Sequence, residues 1–160
     1  MGAYGTLYNA MKFSEVFGHA IALSGPIGIE RMLDTANEPP EMGLHAGFFE
    51  ALHGDLTKLK DSDRNLEVLA DTLVKSGRIL PDLYIACGYN DMLARDNRRF
   101  CAHLKSIGFP YVYEEGPGTH EWAFWNEFLY NGLCHVMPEG PVIVPNPFWV
   151  EYEPVREGEL

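Results

Sequence analysis

Along residues 1–12 the apolar positions Ala3, Tyr4, Leu7, Ala10 and Met11 recur at helical rather than alternating spacing, which predicts a helix. Gly2 and Gly5 are poor residues for a free helix, but they let a backbone approach another element closely. No capping residue precedes this helix, so it reads as cut from something longer. Residues 17–23, Phe-Gly-His-Ala-Ile-Ala-Leu, form a short apolar run closed by Ser-Gly-Pro, the pattern of a buried strand. The chain then changes character. Residues 27–77 are polar, with helical patches at 45–52 and 66–74 and no clear strand, and are read as an insertion or lid packed on the main layer. Residues 83–87 predict a second buried strand. Residues 92–107 have helical spacing with Leu93, Phe100, Leu104 and Ile107 inward, ending at Gly108. A short third strand is expected at 111–113, and a helix dense in Trp122, Phe124, Trp125, Phe128 and Leu129 at 121–133.

Alternation of strand and helix implies an α/β fold with parallel strands. The expected division is a domain over residues 1–135, with its insertion at about 26–77, and a proline-rich tail over 136–160. One more strand is expected near 142–144, at an edge because proline surrounds it.

Composition changes the picture in three ways. Apolar residues make up 46% of the 160 and charged residues 22%, enough apolar surface to offset chain entropy and disfavour disorder. The net charge of −11 repels a phosphate backbone and an anionic leaflet, so neither nucleic acid nor membrane is an expected partner. No span-length apolar run and no N-terminal signal occurs, and the expected compartment is the cytoplasm, although the visible start need not be the natural one. The three cysteines, Cys87, Cys101 and Cys134, are odd in number and widely spaced, which does not read as a disulfide framework or a zinc site. Cys87, inside an apolar run, reads as a buried thiol.

Parallel α/β sheets place their chemistry at the carboxyl ends of strands. Two polar clusters fall there: Gly88-Tyr89-Asn90-Asp91 after the second strand, and Gly116-Pro117-Gly118-Thr119-His120 after the third. A carboxylate on one such loop and an imidazole on the next can meet, and the carboxylate would then fix the ring's tautomer. Other candidates are weaker. Ser14 and Ser24 flank the first strand without the glycine-flanked turn a nucleophile needs, and read as helix-end and turn residues; Ser62, Ser76 and Ser106 belong to the insertion or to helix ends. Asp96 reads as a solvated or capping carboxylate, and His19 as a hydrogen-bonded core residue. His45 and His53 lack a third ligand at metal spacing, so no metal is expected, and His103 and His135 read as surface. The glycines of 116–118 are not followed by a phosphate-binding helix start. Trp122, Phe124 and Trp125 read mainly as core, with an acyl or aromatic pocket as the alternative.

Several stretches carry a resemblance. Met1-Gly2-Ala3-Tyr4-Gly5 resembles the end of a nucleophile elbow, Gly-x-Ser-Met-Gly-x-x-Gly, cut just after its serine. The segments from Met11 to Gly25, Gly54 to Leu66, Cys87 to Asn97 and Glu115 to Trp122 are similar to the same proteins. The chain is thereby similar over about residues 1–135 to the esterase D / S-formylglutathione hydrolase-like group of α/β-hydrolases, with its tributyrin, acetyl and feruloyl esterases. The resemblance implies that Asp91 is the acid and His120 the base of a catalytic triad. It also implies that the backbone N–H of Met1 contributes to the oxyanion hole. The nucleophile serine, the strands before it and the second oxyanion donor are absent from this sequence.

The resulting expectation is a carboxylic ester hydrolase acting on short-chain acyl esters or thioesters, needing no cofactor, with this chain supplying acid and base. The competing expectation is a non-catalytic fragment or binding module with a hydrolase-like fold. Self-association of the chain alone through an unpaired sheet edge is expected, because the strand that would pair with residues 17–23 precedes this sequence.

Overall fold

The computed structural model describes residues 1–29, 33, 46–137 and 139. The elements run α1 (Gly2–Lys12), β1 (His19–Leu23), α2 (Ala46–His53), α3 (Leu56–Leu59), α4 (Leu66–Ser76), β2 (Asp82–Gly88), α5 (Ala94–Ser106), β3 (Tyr111–Gly116) and α6 (Trp122–Val136).

The three strands form one parallel sheet in the order β1-β2-β3. Side chains alternate between its faces, and β2 shows why its sequence is apolar without a break. Leu83 and Ile85 join the larger core with Leu7 and Met11 of α1, Leu69 and Leu73 of α4, and Phe100 and Leu104 of α5. Tyr84 and Ala86 point the other way, to Phe124 and Phe128 of α6. Helices thus cover both faces of the sheet, the α/β architecture expected from the alternation. The helices α2, α3 and α4, in the stretch expected to be an insertion, contribute to the larger core: Phe49, Leu59 and Leu66 are buried in it. Asn65 starts α4 by accepting from Glu67 N–H, the local signal that sets this boundary.

Several boundaries differ from the sequence reading. The first strand begins at His19 rather than at 17, and Phe17 and Gly18 are exposed. His19 is itself exposed, with Nδ1 3.7 Å from Asp82 Oδ2; the alternation that buries Ala20 and Ala22 turns it outward. The third strand runs on through Glu114 and Glu115 to Gly116. Those charges fit a strand because each has a partner: Tyr84 Oη donates to Glu114 at 2.6 Å, and Arg98 Nη2 to Glu115 at 2.8 Å. Trp122 is 75% exposed and is not core. His103 and His135 are engaged by carboxylates, Asp71 and Asp82 respectively, each at 2.8 Å. The strand expected near 142–144 and His45 lie outside the described residues.

Candidate active site

The two loops singled out by the sequence are laced together at the carboxyl edge of the sheet. Tyr89 N–H donates to Gly116 O at 2.9 Å, and Asn90 N–H to Gly118 O at 3.2 Å. This approach needs glycine at position 88: a Cβ there would stand 2.4 Å from Gly118 O. Gly118 itself has φ +134, a conformation that favours glycine.

The tight turn after β2 then aims Asp91 inward. Asp91 N–H donates to Gly88 O at 3.1 Å, and Leu93 N–H donates to Asp91 Oδ1 at 2.9 Å. With Oδ1 occupied, Oδ2 faces His120 Nδ1 at 3.0 Å. A carboxylate only accepts, so Nδ1 carries the proton and Nε2 is left as the basic nitrogen. The ring of His120 also meets Trp125 at right angles, with centroids 4.9 Å apart and planes at 87°. The structure therefore brings together the acid and base candidates read from the sequence. Trp125, read from the sequence mainly as core with a pocket as the alternative, packs on the core cluster and is also the neighbour of the base.

The first turn of α1 reaches the same edge. Ala3 Cβ lies 3.3 Å from the Cβ position of Gly25, just past β1. Gly25 O accepts from Asn97 Nδ2 at 2.9 Å, and the same amide donates to Leu93 O at 2.8 Å. Leu93 holds Asp91, so a continuous set of contacts joins the start of α1 to the acid. Met1 is the N-cap residue of α1, and its carbonyl accepts from Gly5 N–H at 3.0 Å.

The other candidates take minor places. Ser24 is buried just past β1, where its N–H donates to Ala86 O at 2.8 Å and its hydroxyl oxygen accepts from the Cys87 thiol at 4.0 Å. Burial pushes that thiol up to about 12, so it is inert at neutral pH. The hydroxyls of Ser62, Ser76 and Ser106 donate to carbonyls three residues back. Asp96 lies in the first turn of α5 with its side chain against Gly28. Among the described residues no group of three His, Cys, Asp or Glu side chains is placed to hold a metal ion, and no helix is long and apolar enough to cross a membrane.

No family model matches the chain. It is 34% identical over 133 residues to an acetyl esterase of Caldicellulosiruptor saccharolyticus, covering 83% of this chain and 50% of that protein. The S-formylglutathione hydrolase FrmB of Staphylococcus aureus superposes with a TM-score of 0.67 at 31% identity, over 81% of this chain and 48% of that one. FphF, a fluorophosphonate-binding serine hydrolase of Staphylococcus aureus, gives 0.68 at 30% identity, over 80% and 48%. A ferulic acid esterase shares the fold, with a TM-score of 0.60 at 18% identity. A parallel sheet covered on both faces, with a carboxylate–imidazole pair at its carboxyl edge, is the α/β-hydrolase arrangement. Within that fold the chain is similar to esterases and serine hydrolases of the esterase D-like group. It spans about half the length of the relatives it matches.

Proposed function

We propose that residues 1–135 are the acid- and base-bearing part of a serine esterase acting on short-chain acyl esters or thioesters. The observation that carries this reading is the fully buried Asp91 carboxylate held against Nδ1 of a half-exposed His120. In the complete protein a serine immediately before Met1 attacks the acyl carbonyl. His120 Nε2 takes the serine proton and returns it to the departing alcohol or thiol. In the second half His120 activates water, which cleaves the acyl-enzyme. Asp91 fixes the imidazole and stabilises its cationic form. Met1 N–H, at the start of α1, donates to the oxyanion. The position of α1's first turn at the same sheet edge as Asp91 supports this placement. A small acyl group is favoured because the relatives include an acetyl esterase and an S-formylglutathione hydrolase.

The test is to extend the chain upstream to include the serine. The extended protein should hydrolyse a chromogenic acetate ester and take a fluorophosphonate label on that serine. The 160-residue chain should do neither. Triad-dependent turnover by the short chain, or an inert extended protein that is folded, would overturn the reading.

The outer side of β1 supports a second proposal, self-association. Among the described residues β1 pairs only with β2, and its sequence His-Ala-Ile-Ala-Leu carries no acidic or lysine guard on that edge. A groove of about 400 Å³ beside it is lined by Gly2, Gly5, Asn9, Phe17, His19 and Ala20 among others. Light scattering should show concentration-dependent assembly, and a monodisperse monomer would contradict it.

A further inference from the structure

A single hydrogen bond fixes a distance better than it fixes a plane. The terminal torsion of histidine is broad, so an imidazole tethered only through Nδ1 can rock about its Cβ–Cγ bond. His120 has a second contact that restricts this motion. The ring of Trp125 stands perpendicular to it with centroids 4.9 Å apart, the edge-to-face geometry aromatic pairs prefer. Trp125 is braced in turn. It packs on the cluster of Tyr84, Ala86, Phe124 and Phe128, and Trp122 meets it from outside at 5.1 Å and 80°. Its indole Nε1 is buried with no hydrogen-bond partner among the described residues. A buried indole N–H ordinarily finds an acceptor, so a polar contact does not explain why this ring sits where it does.

We propose that Trp125 is a positioning residue for His120. Its aromatic ring holds the imidazole plane, so that Nδ1 stays on Asp91 and Nε2 stays free to accept a proton. The proposal rests on the reading of Asp91 and His120 as the catalytic pair. Asp91 selects the tautomer and Trp125 selects the orientation.

Nitrogen-15 NMR of the 160-residue chain tests this without any need for turnover. In the wild type His120 should show one tautomer, with a protected proton on Nδ1. Trp125→Leu keeps apolar bulk and removes the aromatic ring; the Nδ1 proton should then exchange roughly two- to tenfold faster, the scale of one edge-to-face aromatic pair. Trp125→Phe should restore protection. Backbone amide spectra report folding, and Trp125→Met, an adaptable apolar replacement, stands in if the leucine variant does not fold. Asp91→Asn separates the two layers of inference. If it leaves the tautomer unchanged, the catalytic-pair reading falls, and the role of Trp125 with it. If it shifts the tautomer while the leucine or methionine variant exchanges like wild type, only the positioning role is overturned. A phenylalanine variant that exchanges as fast as leucine overturns it as well.

Discussion

The carboxylate of Asp91 has no exposed surface and sits 3.0 Å from Nδ1 of His120, whose side chain keeps 41% of its own. The asymmetry divides the labour. The buried partner is anchored by Leu93 N–H and cannot swing to another task, while the exposed partner has a nitrogen left to meet a substrate.

In the serine-bearing extended protein, His120→Ala should therefore lower turnover by about a thousandfold or more, the usual cost of losing a triad base. Asp91→Asn should also lower turnover steeply while leaving KM and the melting curve nearly unchanged, because it disturbs orientation rather than substrate contact. Asp96→Asn, on α5 and outside the pair, should change the rate little. Steady-state kinetics on the three variants decide it: a dead Asp96→Asn beside an active Asp91→Asn would move the acid elsewhere.

Gly88→Ala should uncouple the two site loops. The new methyl would press on Gly118 O at 2.4 Å, a backbone atom that cannot step aside as a side-chain tip can. Overpacking of this kind costs roughly 1–3 kcal/mol. Urea unfolding should show the loss, and the protected His120 proton should disappear from the NMR spectrum. Gly18→Ala, where a Cβ meets nothing within 4 Å, is the control and should be near neutral. Equal stability in the two variants would contradict the interlock.

Thiol chemistry should sort the cysteines by depth. Burial pushes Cys87 and Cys101 up to about 12, whereas Cys134 is exposed. At pH 8 a thiol at that value is ionised on the order of one part in ten thousand, and the thiolate is the reactive form. A colorimetric disulfide reagent should titrate one thiol quickly in the native chain and three in guanidinium. Rapid reaction of Cys87 would mean that the strand leading to Asp91 opens in solution.

How much of this was legible in the chain depends on the kind of interaction. β2 announced itself because both of its faces are buried, so Leu83 to Cys87 has no polar interruption. The end of β3 did not. Glu114 and Glu115 look like a loop until Tyr84 and Arg98 are seen to hold them, and those partners are distant in sequence. Asp91 and His120 could be paired from the sequence because both follow strands of one sheet. The Gly88–Gly118 contact and the ring of Trp125 against His120 are matters of side-by-side geometry, which spacing alone does not encode. Trp122 misled for a related reason: a helix rich in aromatics does not declare which of them faces outward.

Acid should loosen α2 from α1 through His53. This residue ends α2 and is buried against Tyr4, with ring centroids 5.1 Å apart, and against Phe49 of its own helix. Burial pushes the Tyr4 phenol up to about 12, so it remains a donor, and it gives its proton to Arg64 O at 2.6 Å. His53 Nδ1, 3.4 Å from the Tyr4 oxygen, can then only donate, which leaves Nε2 a bare buried acceptor without a partner among the described residues. Burial first, and the Arg64 guanidinium second, hold His53 below the usual imidazole value. The sign follows. Above about pH 6.5 the ring is neutral in both folded and unfolded chains and stability is unaffected. As pH falls below that value, the unfolded chain takes a proton that the folded chain resists, and stability drops until the depressed folded value is reached. His53→Gln keeps a polar side chain but does not titrate. Urea midpoints measured between pH 7.5 and 5.5 should fall more steeply for the wild type than for His53→Gln, the other histidines contributing equally to both. Parallel slopes would show that His53 is not a source of acid sensitivity. A steeper wild-type slope would place an acid-labile contact between α2 and α1, whose opening turn leads through Gly25 and Asn97 to Asp91.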